Sequence, residues 1–245
     1  SLGLVGSEMC IRDSSSPAAT CPISISLNGW PSVAGSIWPV SDPLLSLIST
    51  GLKLWVRSRC DSVGSLELSL QGSSLGLLRG HLQGARLEAR EVRFQGLPLQ
   101  HAVLSSGPIQ VDLQLLQPGR MLALQHPFRL EGDVTITGRD LNDALLDEPW
   151  CWLGDWLSEQ LMGLTPLGGL LIDNDVLELQ SPVAAQKDPA RRRFRLKAAQ
   201  NTVMIQPLTE EQGATLLPMD PEIHILEASL QGGQLTLQGE ARVNP

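Results

Sequence analysis

Residues 126–157 change their apolar period at a single point, and that change restricts the folds open to the chain. Phe128, Leu130, Val134 and Ile136 fall on one face of an extended segment, while Arg129, Glu131, Asp133 and Thr135 fall on the other. From Thr137 onward the spacing becomes helical. Thr137 precedes Asp140 by three positions, the spacing of a capping box with Asp in place of the usual Glu. A strand that runs straight into a capped helix predicts a mixed α and β protein with one apolar sheet face.

The rest of the chain repeats these two periods. Asp42-Pro43 predicts a helix start, with Asp at the N-cap and Pro at the first helical position. Leu44, Leu45, Ile48, Leu52 and Trp55 make one apolar face, and Leu47, Leu54 and Val56 lie elsewhere, so burial of more than one side is expected. Period two then takes over: Leu66, Leu68 and Leu70 alternate, and residues 81–104 read as two or three strands broken by Gly84, Gly96 and Pro98. Ile109, Val111, Leu113 and Leu115 give the clearest alternation, ended by a Pro118-Gly119 turn.

Pro149 opens a further helix with Trp152, Leu153, Trp156, Leu157 and Leu161 on one side and Gly163 at its C-cap. Three hairpins are expected in the C-terminal third. Their turns are Asp173-Asn174-Asp175, Gln200-Asn201-Thr202 and Gly232-Gly233. The order helix, strands, helix pair, strands predicts an α+β fold with a meandering antiparallel sheet. Its long Leu-lined face needs a cover, and the candidates are the helices or a lipid.

The N-terminus is set apart. Ser1–Ser14 reads as a translated sequencing adapter, and residues 15–40, rich in Ser, Pro and Gly, read as a disordered segment or linker. A single domain is expected over 41–245. Its size is enough for a real core, and the core must be aliphatic because Tyr is absent and aromatics are 4%. The net charge of −8 argues against a nucleic-acid partner. No apolar run approaches the ~18 residues of a membrane-spanning helix.

Few residues point to chemistry. His81, His101, His126 and His224 are scattered, and Cys10, Cys21, Cys60 and Cys151 have no metal-ligand spacing, so no metal is assigned. No phosphate loop, dinucleotide fingerprint or other cofactor signature occurs. Gly72-Ser73-Ser74-Leu75-Gly76 matches the nucleophile-elbow pattern of lipases, but the parallel βα units of that architecture are not evident. Asp140, Asp143, Asp147 and Glu148 gather near helix starts, where they oppose the helix dipole. Trp150, Trp152 and Trp156 suit either a core or a membrane interface. Arg193, Arg195 and Lys197 share one strand face, which suits phosphate head groups or a solvated strand surface.

The segment from Leu75 to Gly163 resembles the LmeA-like phospholipid-binding family. The matching pieces are Leu77-Leu78-Arg79-Gly80, Pro108-Ile109-Gln110-Val111-Asp112, Pro127-Phe128, and above all Val134-Thr-Ile-Thr-Gly-Arg-Asp-Leu-Asn-Asp-Ala-Leu. Asp147-Glu148-Pro149-Trp150 is similar to cyanobacterial members, and a weaker strand pattern extends the likeness from about Asp42 to Val243. The resemblance implies a strongly curved antiparallel sheet wrapped around a long helix, akin to tubular lipid-binding proteins. It further implies an apolar groove for acyl chains, no catalytic residues, no cofactor, and a place facing the cell envelope.

On that basis the expected function is non-enzymatic binding, and in an extended form transfer, of a phospholipid or similar acyl lipid. Expected ligand contacts are Leu44, Ile48, Leu52, Trp55, Leu145, Trp152 and Trp156, with Arg193, Arg195 and Lys197 at the head group or membrane surface. Two other readings stand beside it. One is a scaffolding β-domain with a closed core that binds a protein partner. The other is a lipolytic serine hydrolase using Ser74.

Overall fold

The computed structural model describes residues 43–110, 126–184, 186–209 and 213–243. The Asp42 cap, the Val111–Leu115 part of the alternating run, the Pro118-Gly119 turn and the two N-terminal segments lie outside the described residues. The N-terminal half comprises α1 (Pro43–Arg59), β1 (Ser62–Gln71), α2 (Ser74–Leu78), β2 (His81–Leu82), β3 (Gly84–Phe94), β4 (Leu97–Ser106) and β5 (Ile109–Gln110). Then come β6 (Phe128–Thr137), α3 (Gly138–Leu146) and α4 (Cys151–Met162). The C-terminal strands are β7 (Gly169–Asp173), β8 (Val176–Ser181), β9 (Ala190–Ala199), β10 (Thr202–Pro207), β11 (Thr215–Leu216), β12 (Ile223–Gln231) and β13 (Gln234–Val243).

All described strand pairs are antiparallel, as expected, but they do not form one meander. A six-stranded sheet runs β1-β3-β4-β6-β13-β12, a five-stranded sheet runs β11-β10-β9-β8-β7, and β2 pairs with β5. The excursion through α3, α4 and β7 to β11 therefore separates β6 from its partner β13, which returns to pair Ile136 with Leu235 and Val134 with Leu237.

The two sheets meet where β12 approaches β9 and β10, and Ile225 N–H donates to Asn201 O at 2.9 Å. Between them and under α3 and α4 lies the largest core, in which Leu179 is 0% and Phe194 1% exposed. Full burial of each such side chain contributes roughly 1.5–3 kcal/mol.

The strand-to-helix switch is built as expected. Thr137 Oγ1 accepts the Asp140 backbone N–H at 3.0 Å and donates to Asp140 Oδ2 at 2.6 Å. The shorter acid thus meets the capping hydroxyl itself rather than the cap's backbone N–H. Gly138 N–H donates to Gly233 O at 2.8 Å, fastening this start to the β12–β13 turn.

Both long helices turn most of their expected apolar faces inward, but Trp55 and Trp152 point outward. On α1 the half-buried positions are Leu45, Ile48, Ser49, Leu52, Lys53 and Val56, whereas Leu47 is 71%, Leu54 65% and Trp55 45% exposed. Ser49 Oγ donates to Leu68 O at 3.1 Å, so the helix lies along edge strand β1 with a serine toward the sheet. Burial on more than one side, expected from Leu47 and Leu54, does not occur. On α4 the buried face is Gly154, Leu157, Ser158, Leu161 and Met162, and Trp152 is 56% exposed. Small residues decide this: a Cβ at Gly154 would collide with the Leu145 carbonyl, so only glycine permits the approach of α4 to α3.

Besides a register shift between Ile225 and Glu227 on β12, the six-stranded sheet has an irregularity in its β1–β3 pair. Ala89 and Val92, three apart, would point to opposite faces of a regular strand, yet both are buried in one cluster with Leu66. Glu91 between them has φ +53°. Opposite it Gly64 leaves room, since a Cβ there would lie 2.9 Å from Glu91 Cβ. The register continues without slippage on both sides, pairing Leu66 with Ala89 and Val63 with Val92. This local twist keeps the apolar side chains of β1 and β3 facing α1.

Candidate functional site: the apolar face of the six-stranded sheet

The register lays apolar residues in rows across the six-stranded sheet. One row is Leu66, Ala89, Ala102, Val134, Leu237 and Ala228, and the next is Leu68, Leu87, Leu104, Gly132 and Gly239. The ends of the first row are buried, at Leu66, Ala89 and Ala102 on one side and at Ala228 on the other. Between these ends Leu87, Leu104, Leu130, Val134 and Leu237 are only half-buried. The paired Gly132 and Gly239 carry no side chain, so the floor of the face drops between Leu104 and Ile225, and Leu104 leans over Gly132. The result is a shallow apolar trough.

The trough runs toward a cleft of about 410 Å³ at the open end of β6 and β13. Phe128 and Ala241 reach this cleft from the apolar side, Arg129, His224, Glu240 and Arg242 from the polar side, and Glu222 lines it as well. Glu240 lies between two of the bases, 3.2 Å from Arg129 Nη1 and 3.6 Å from His224 Nδ1. Among the described residues no carboxylate pairs with the Arg242 side chain. An apolar floor that ends in a cleft carrying both basic and acidic side chains suits an amphiphile with a zwitterionic head.

The seven ligand contacts expected from sequence separate into distinct environments. Leu44 lies in the first turn of α1. Ile48 packs on the cluster of Leu77, Leu82 and Ile109, and Leu52 is half-buried on the same inner face. Trp55 turns outward, with the Arg59 guanidinium 5.6 Å from its ring centroid. Leu145 is 3% exposed within the large core, against which Trp156 packs half-buried. Trp152 faces solvent. Trp150 is held differently, its Nε1–H donating to Gln95 O at 2.8 Å, which ties α4 to the β3–β4 turn. The strand leucines of the trough carry the site's shape, and their signal in sequence was plain period-two alternation, which every half-buried strand shows.

The basic run on β9 is outward-facing as expected, and much of it is engaged. Arg193 Nε donates to Glu178 Oε2 at 2.9 Å, and Arg195 lies 3.9 Å from Asp175. Glu178 is 7% exposed, and the Arg193 hydrogen bond, opposed by burial and aided by Gln180, holds its carboxyl below the usual range. Among the described residues Lys197 has no carboxylate partner.

Other expectations resolve locally. Ser74 opens the five-residue α2, capped by Ser73, beside an antiparallel sheet rather than at the head of a long helix after a parallel strand. His101 meets Glu88 at 3.1 Å, and no three metal-ligating side chains gather among the described residues. Burial pushes the Cys60 thiol up, as burial and then Glu148 do for Cys151, so neither favours the reactive thiolate. Asp140 sits in the first turn of α3, whereas Asp147 is its C-cap. Among the described residues no helix is long and apolar enough to cross a membrane.

The Asp-Leu-Asn at 140–142 has a clear structural use. Asp140 closes the cap, Leu141 packs on the large core, and Asn142 Oδ1 accepts the Leu170 N–H at 2.8 Å. No curated protein and no solved structure matches the chain. The family described as LmeA-like phospholipid-binding matches residues 40–240. With its α+β antiparallel fold and its match over most of the sequence, the chain belongs to the LmeA-like phospholipid-binding family.

Proposed function

We propose that the protein binds one phospholipid without chemical conversion, laying its acyl chains along the trough of the six-stranded sheet. The observation that carries this reading is the half-buried row around Leu104, Leu130, Val134 and Leu237, bounded by buried residues at both ends. Each acyl CH₂ removed from water contributes about 0.8 kcal/mol. Ile48 and Leu52 form the wall on the α1 side, and Trp55 faces away from it. The tubular arrangement would require the sheet to curve over α1, which lies along edge strand β1 with its outer side exposed.

Leu145 and Trp156 contact lipid in this reading only if α3 and α4 part from the sheet, whereas the exposed Trp152 meets lipid only at the outer surface. The head group sits at the cleft of Arg129, His224 and Arg242, and Lys197 with Arg193 and Arg195 offers a second basic surface. Transfer between membranes follows if loading is reversible.

The test is lipid loading of full-length Leu104→Glu and Ile48→Asp variants from phospholipid vesicles. Both should stay folded by circular dichroism and lose bound lipid. Unchanged loading in the folded variants would overturn the assignment. The sealed packing around Phe194 favours a second reading, a closed scaffold, which predicts a protein empty of lipid under every condition.

A further inference from the structure

The outer surface of α1 has no use in the lipid site, yet its composition is unusual for this chain. From Pro43 to Cys60 there is no acidic residue, and from Gly72 to Leu87 there is none either, in a protein of net charge −8. At 100° per residue, Leu47, Gly51, Leu54 and Ser58 form one outer stripe. Arg57 flanks the stripe on one side, and Trp55 and Arg59 flank it on the other. Leu47 and Leu54 are exposed by 71% and 65%, far beyond what a helix that merely covers an edge strand requires. Beside α1, α2 adds Leu75 and Leu78, each 60% exposed, followed by Arg79.

We infer that α1 and α2 form a docking surface for an anionic lipid bilayer. Leu47, Leu54, Leu75 and Leu78 enter the acyl boundary. Trp55 sits at head-group depth, where its indole has both an apolar body and a donor N–H. Arg57, Arg59 and Arg79 meet the lipid phosphates. The pattern is that of an interfacial helix, with leucines on one face and basic residues at its borders.

Charge complementarity selects this occupant. An acidic protein is repelled by an anionic bilayer unless it presents a surface free of carboxylates, and α1 with α2 is such a surface. A second copy of the chain would meet the same three basic residues across a symmetric contact. The inner face of α1 is turned to the sheet, so docking leaves the proposed trough undisturbed.

The experiment is sedimentation of the full chain with vesicles of phosphatidylcholine alone or with added phosphatidylglycerol. Binding should require phosphatidylglycerol and weaken steeply with salt. Replacing both Arg57 and Arg59 by Ser should reduce binding about fivefold per charge removed. Leu47→Asp/Leu54→Asp should abolish binding while circular dichroism and lipid loading of the trough stay unchanged, which separates docking from loading. Acyl-brominated vesicles should quench the wild type more than Trp55→Phe.

Equal binding to both vesicle types, or full binding by the Leu47→Asp/Leu54→Asp variant, would overturn the inference. So would a dimer by light scattering that this variant abolishes, with no vesicle binding in the wild type, because the surface would then belong to a second copy.

Discussion

Asn142 Oδ1 accepts the backbone N–H of Leu170 at 2.8 Å, so the second turn of α3 holds the start of β7. β7 is an edge strand of the five-stranded sheet, and this contact, together with Asp155 Oδ1 accepting the Leu167 N–H at 2.9 Å, occupies donors that would otherwise be unpaired. Asn142→Ala removes the acceptor and leaves the Leu170 N–H half-buried. We expect a loss of about 1–2 kcal/mol in chemical denaturation, and a loss below 0.3 kcal/mol would show that water replaces the side chain.

Gly154 and Ser158 make opposite predictions on one helix face. Gly154→Ala places a methyl against the Leu145 carbonyl and should cost about 1–3 kcal/mol by forcing α3 and α4 apart. Ser158 is 0% exposed, and its hydroxyl has no partner among the described residues. Ser158→Ala should therefore be neutral or stabilising by up to about 1 kcal/mol. Thermal melts of both variants check the pair, and a stable Gly154→Ala would refute the close approach.

The Glu178–Arg193 pair gives a pH dependence. Because the folded carboxyl titrates below its unfolded value of about 4.3, the pair's contribution is fully present above that pH. It is lost as pH falls through the lowered folded value. Glu178→Gln should be less stable than wild type at pH 7, and the difference should shrink progressively below about pH 4. A gap that is constant with pH would mean that packing, not ionisation, supplies it.

Much of this fold was legible because local chemistry and tertiary structure agree. The three hairpins turn at residues able to adopt positive φ: Asn174 at +55°, Gln200 and Asn201 at +52° and +64°, and Gly232-Gly233 at +58° and +77°. The Thr137–Asp140 cap was readable for the same reason. The outward turn of Trp55 and Trp152 was not, because large apolar residues dominate a periodicity count while Gly154 and Ser49 decide how closely a helix can approach. The return of β13 to β6 depends on pairing over more than ninety residues, which no local signal carries.

The candidate site was the least legible part. Its floor is set by Gly132 facing Gly239 across two strands, and neither glycine has meaning until the register is known. Sequence reasoning favoured the conspicuous Trp152 and Trp156 over Leu104 and Leu130, which look like ordinary strand residues. The twist at Glu91 left only a faint trace, the change of apolar positions from 87 and 89 to 92 and 94.

The most direct test of phospholipid binding is native mass spectrometry of the protein expressed in bacteria and purified without detergent, with extraction and identification of any bound lipid. The account predicts one phospholipid per protein at near-stoichiometric occupancy. An apoprotein that stays empty after incubation with phospholipid vesicles would contradict it.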